Sequence, residues 1–208
     1  LVEAADAYAQ AISALPEGHE ALVDAQMNLG LALLGVGEQQ RSIDRLTAAI
    51  EAFRAALGVA DRIAQPKRWA LIHMNLGNAL AALGDRDTAG TARLDEAIAA
   101  YTAALDVFDR DDEPMKWAIT QLNLGTALIR IGERRDRRRH WLAAAGALVP
   151  ALEVFEQLGA GSYADVTRRN LQHFHESWND FLQIPGTAPA APAQLLGEPP
   201  RARLTKAG

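Results

Sequence analysis

One repeated segment constrains this chain more than any other feature. Asn28-Leu29-Gly30, Asn75-Leu76-Gly77 and Asn123-Leu124-Gly125 stand 47 and 48 residues apart, and Asn170-Leu171 follows after a further 47. The match extends without gaps over residues 28–38, 75–85 and 123–133, and Trp69-Ala70 and Trp117-Ala118 each begin six residues before the asparagine. Self-similarity at a fixed period of this length means stacked supersecondary units that bury their apolar faces against one another.

Each unit reads as two helices. Trp69, Ile72, Leu76, Leu80 and Leu83 fall at three- and four-residue steps, one apolar stripe on a helix. Leu94, Ala97, Ile98, Tyr101, Ala104 and Leu105 repeat that spacing for a second helix. Pro66 and Pro114 stand where a first-turn proline is tolerated. Gly37, Gly84 and Gly132 are expected as left-handed caps that end the first helices. Gly30, Gly77 and Gly125 fall inside helices, where glycine costs about 1 kcal/mol relative to alanine. A recurring cost of that size predicts close helix–helix approach. The heavy use of alanine and sparse β-branched residues agree with an all-α chain.

The boundaries predicted are a lone second helix over 1–14, units over 15–65, 66–113 and 114–160, a capping helix over 161–184, and a flexible Pro/Ala-rich tail over 185–208. About seven helices follow from this division. Leu1 to Tyr8 matches Leu94 to Tyr101, so the chain is expected to open on a second helix whose partner is missing. Half-units expose an apolar face, which makes this end a candidate self-association surface.

Several functional classes are disfavoured at this level. No apolar run reaches the roughly eighteen residues of a membrane span, and no signal peptide opens the chain. The absence of cysteine removes disulfides and thiolate metal sites and fits a reducing, cytoplasmic setting. A net charge of −5 runs against nucleic-acid binding, which needs clustered positive charge. No phosphate loop, nucleophile elbow or metalloprotease motif occurs, so neither enzyme activity nor a cofactor is expected.

The Asn-Leu-Gly-x-Ala-Leu segment, the Gly-Asp/Glu turn and the small–aromatic–small sets Ala97, Tyr101, Ala104 and Ala49, Phe53, Ala56 resemble the tetratricopeptide repeat family over residues 1–160. The period differs, 47–48 against roughly 34, and the tryptophan falls one helical turn early, so the chain looks like the long-period bacterial variants. The resemblance implies a right-handed helical-hairpin solenoid that acts as a protein-binding scaffold and takes a peptide or protein partner on its concave face. The competing class is a sensor arm of a larger enzyme or signalling protein.

Carried over by position, the concave face is Met27, Leu31, Leu34, Leu71, Met74, Asn78, Ala81, Ile119, Leu122, Thr126, Ile129 and Arg130. These residues give the first helices a second apolar side, which is either a binding surface or internal packing. The basic residues that let some relatives clamp a carboxylate-ended tail are replaced by Met27 and Met74. A second candidate surface is the run Arg134, Arg135, Arg137, Arg138 and Arg139, either an acidic-partner site or a solvated helix start balanced by nearby acids. His173, His175 and Glu176 with His140 do not read as a metal site, because helix positions i and i+2 point apart. The recurring asparagines are expected to be structural hydrogen bonders.

Overall fold

The computed structural model describes residues 1–16, 18–86, 90–135 and 137–182, the side chains of 137 and 177–182 excepted. The segment 185–208, with its Leu195-Leu196 pair, lies outside the described residues. The described residues hold eight helices rather than seven: α1 (Val2–Ala14), α2 (Ala21–Gln40), α3 (Ile43–Val59), α4 (Pro66–Gly84), α5 (Ala92–Leu105), α6 (Pro114–Arg134), α7 (Arg137–Gln157) and α8 (Gly161–Leu182). None of them is long and apolar enough to cross a membrane.

Local chemistry sets several of these ends. Pro66 and Pro114 open α4 and α6 at the first turn, where the missing N–H has no partner to lose. Ser42 caps α3 by accepting from the Arg45 backbone N–H at 3.3 Å. The expected glycine caps are overturned. Gly37 and Gly132 lie inside α2 and α6, and Gly84 is the last residue of α4 with no left-handed φ. The left-handed residue that ends α2 is Arg41, at φ 55. A side chain in that region costs about 1–2 kcal/mol that glycine avoids. Arg41→Gly is therefore expected to raise stability by up to about 1 kcal/mol, read as a higher urea midpoint at unchanged slope.

The six recurring glycines share one task, which is to notch the first helix of each pair. A Cβ on Gly30 would sit 2.6 Å from the Phe53 ring, one on Gly77 2.5 Å from Tyr101 Cε1, and one on Gly125 2.6 Å from Leu148 Cγ. Gly37 faces Leu46 and Gly84 faces Leu94, at 2.8 and 2.9 Å by the same measure, and Gly132 faces the Trp141 indole. As the number rises along the first helix it falls along the second, so each pair is an antiparallel hairpin. The knobs recur as quartets: Leu46, Ala49, Phe53, Ala56; Leu94, Ala97, Tyr101, Ala104; and Trp141, Ala144, Leu148, Ala151. All twelve are at most 2% exposed. The expected burial of Leu76 and Tyr101 is found, as is the stripe Ile72, Leu80 and Leu83, while Trp69 is only half-buried.

Residues 1–174 form one compact unit in which each helix from α1 to α7 packs on its neighbour, α2 also meets α4, and α4 meets α6. Helix α8 meets α7 through Phe174 on Trp141 and Tyr163 on Phe155. The core joins α1 through α6 around Phe53, Ile72, Leu76, Leu80 and Tyr101. Burying a side chain of that size contributes about 1.5–3 kcal/mol. Hydrogen bonds then set the register between units. Asn123 Nδ2 donates to Asn78 Oδ1 at 2.9 Å and Asn170 Nδ2 to Thr126 Oγ1 at 2.8 Å. Asn123 and Asn170 thus each reach the preceding first helix, which gives Asn123 the structural role expected of it.

Candidate functional site

A cleft of about 480 Å³ opens along the first helices α2, α4 and α6. Its lining runs from Leu34 and Glu38 on α2, through Asn78, Ala81, Ala82, Asp85 and Arg86, to Asn123, Thr126, Ala127 and Arg130 on α6, with Tyr101 reaching in from α5. Geometry explains why it lies there. The second helices fill the glycine notches from one side, and the first helices touch each other only sparsely, so the opposite side stays open.

The floor of the cleft carries neutral polar groups in two hydrogen-bonded sets. Burial pushes the Tyr101 phenol above its ordinary value, so it stays protonated and donates to Asn78 Oδ1 at 2.9 Å. That oxygen also accepts from Asn123, which uses both its lone pairs. Thr126 Oγ1 donates to the Leu122 carbonyl at 2.8 Å while accepting from Asn170. The rim carries both signs: Arg130 pairs with Asp85, and Glu38 is exposed. Arg86 donates to the carbonyls of Ala82 at 2.6 Å and Gly37 at 3.2 Å. Its Nε is buried with no acceptor among the described residues. A buried donor left unmatched costs about 1–3 kcal/mol, and a ligand oxygen in the cleft would relieve it only with a shift of the Arg86 side chain that exposes Nε.

The structure divides the twelve residues of the expected concave face. Leu34, Asn78, Ala81, Thr126 and Arg130 line the cleft. Leu122 and Ile129 are buried, at 5% exposure each, which removes them from any surface. Met27 packs against the main core, and Leu71 and Met74 pack around Ala70, Ala104 and Phe108. Ile119 is half-buried, and Leu31 is exposed without lining the cleft. The reason is that α4 and α6 are each held between two second helices, so their second apolar side is largely internal packing. Sequence reasoning missed Glu38, Asp85, Arg86, Tyr101, Ala82, Asn123 and Ala127 as cleft residues. One signal was available: Arg86 and Arg134 both stand two residues after the second glycine of their units.

The basic run resolves into separate tasks. Arg134 donates to the carbonyls of Gly84 at 3.0 Å and Gly90 at 2.7 Å, as Arg86 does to Gly37 one unit earlier. Cations at helix C-termini are favourable partners for such carbonyls. Arg135 pairs with Asp95. Arg138 and Arg139 are exposed, and the side chain of Arg137 lies outside the described residues. His173 contacts Glu133 at 2.6 Å, and no group of three metal-ligating side chains occurs among the described residues. No protein-family model, curated protein or solved structure matches this chain.

Proposed function

We propose that this chain is a protein-interaction scaffold of the tetratricopeptide-like kind, a right-handed solenoid of helical hairpins that holds an extended peptide in the cleft along α2, α4 and α6. The observation that supports this reading is the character of the cleft: an amide-and-hydroxyl floor, a rim of both charges, and a buried Arg86 Nε that lacks an acceptor. A peptide main chain presents carbonyls and N–H groups at regular intervals. Asn78 Nδ2 and Arg86 Nε are donors for its carbonyls, and Glu38 is an acceptor for an N–H or a basic side chain. Met27, Leu71, Met74, Leu122 and Ile129, first assigned to the partner, pack internally instead, so recognition on this reading is more polar than the sequence pattern implied.

Selection of peptides from a random displayed library against the full chain tests the proposal. Peptides that enrich should lose at least about tenfold in affinity against Ala81→Tyr, which fills the cleft, and against Glu38→Arg, which reverses an exposed rim charge. They should bind a variant with Arg138→Glu and Arg139→Glu unchanged. A failure to enrich any peptide, or equal binding to both cleft variants in their folded state, would overturn the assignment.

A further inference from the structure

The knobs of α3, α5 and α7 each fill a pair of glycine notches in the first helix of their own hairpin, whereas of the α1 quartet only Leu1 meets a glycine, Gly35 of α2, where a Cβ would stand 3.0 Å from Leu1 Cδ1. The same spacing is present in α1, where Leu1, Ala4, Tyr8 and Ala11 stand at steps of three, four and three. In the interior helices this quartet is buried. In α1, Leu1 is 65% exposed, Ala11 is exposed, and Ala4 and Tyr8 are half-buried. The neighbouring face of α1 is already used, since Ala5 is buried in the core that joins α1 to α2. Nor does α2 offer α1 a pair of notches, because its Gly30 and Gly37 already hold Phe53 and Leu46 and its Gly35 meets Leu1 alone.

We propose that the Leu1–Ala11 face of α1 is a docking seat for one further helix that carries two glycines seven residues apart and runs antiparallel to α1. The occupant follows from continuity with three interfaces in the same molecule. In each of them, a leucine or tryptophan meets one glycine and a tyrosine, phenylalanine or leucine meets the other, seven residues away. Leu1 and Tyr8 stand in the register of Leu94 and Tyr101, so the helix they fit is a notched one. A flat helix would hold the Tyr8 ring off and leave a gap, which forfeits the close contact. A second copy of this chain offers no such partner. The glycine pairs of α2, α4 and α6 are filled by their own hairpins, and α8 has Gln172 at the place of Gly125. This seat lies apart from the cleft and stands or falls independently of the peptide-binding proposal.

The test supplies the helix in register. A second copy of residues 66–93 fused directly before Leu1 places its two glycines relative to Leu1 and Tyr8 as Gly84 and Gly77 stand to Leu94 and Tyr101. The fused chain is expected to melt about 5 °C or more above the unmodified chain, with Tyr8 protected from tetranitromethane nitration. A second fusion, with leucine at both glycine positions of the added copy, is expected to give neither effect. Equal midpoints and equal Tyr8 reactivity in the two fusions would overturn the proposal. If the first fusion does not fold, the free 66–93 peptide added to the unmodified chain must protect Tyr8, and a lack of protection is equally decisive against it. Concentration-dependent self-association that shields Tyr8 and is abolished by Tyr8→Glu would assign the seat to a second copy, which contradicts the proposal.

Discussion

Gly77→Ala is expected to destabilise the chain by about 1–3 kcal/mol, although alanine brings about 1 kcal/mol of helix propensity. The new Cβ would stand 2.5 Å from Tyr101 Cε1, a separation at which the ring must shift. Tyr101 is only 2% exposed, and its hydroxyl is tied to Asn78. Gly58 provides the contrast, since a Cβ there meets nothing within 4 Å. Gly58→Ala is therefore expected to stabilise, by up to about 1 kcal/mol. The third hairpin, which seats Leu148 in the equivalent notch, indicates the rescue. Adding Tyr101→Leu to Gly77→Ala should recover part of the loss, so the double-mutant cycle should show coupling of about 0.5–3 kcal/mol. Urea unfolding of the four chains checks this, and a neutral Gly77→Ala would mean that the notch is not tight.

Trp141→Ala is expected to have the largest effect of any single truncation, about 3–5 kcal/mol. The indole fills the notch at Gly132, donates from Nε1 to the Ile129 carbonyl at 3.3 Å, and meets Phe174 edge-on at a centroid distance of 6.4 Å. Its removal leaves a large cavity where α6, α7 and α8 meet. The loss of near-ultraviolet tryptophan signal should track a lowered denaturation midpoint. A cost below about 1 kcal/mol would mean that the third hairpin does not use the lock seen in the other two.

The hairpins were legible in the sequence because the notch and the knob both recur, each at a seven-residue step within its helix. Close approach at Gly30, Gly77 and Gly125 could be inferred from the cost of glycine in a helix. The second glycine of each pair was misread as a cap. A glycine near a helix end fits both roles, and only its φ and its neighbour distinguish them. Arg41 could not be recognised as the left-handed residue, because nothing in its chemistry favours that conformation. The face of α4 that carries Leu71 and Met74 was ambiguous for a different reason. An apolar side packed around its own hairpin, as these two are around Ala104 and Phe108, has the same pattern as one open to a partner. The cleft emerged only from contacts between residues about 45 apart, Asn78 with Asn123 and Asp85 with Arg130. The repeat implies that two units are neighbours, but not which side chains meet across them.

The cleft can be tested most directly by following side-chain amide resonances while a selected peptide is titrated into isotope-labelled full chain. The account predicts saturable shifts at the Asn78 Nδ2 amide and the Arg86 Nε–H, with smaller shifts at Asn123, whose Nδ2 already donates to Asn78. Arg138 and Arg139 should not move. Shifts confined to that basic pair, with Asn78 and Arg86 unchanged at saturation, would contradict it.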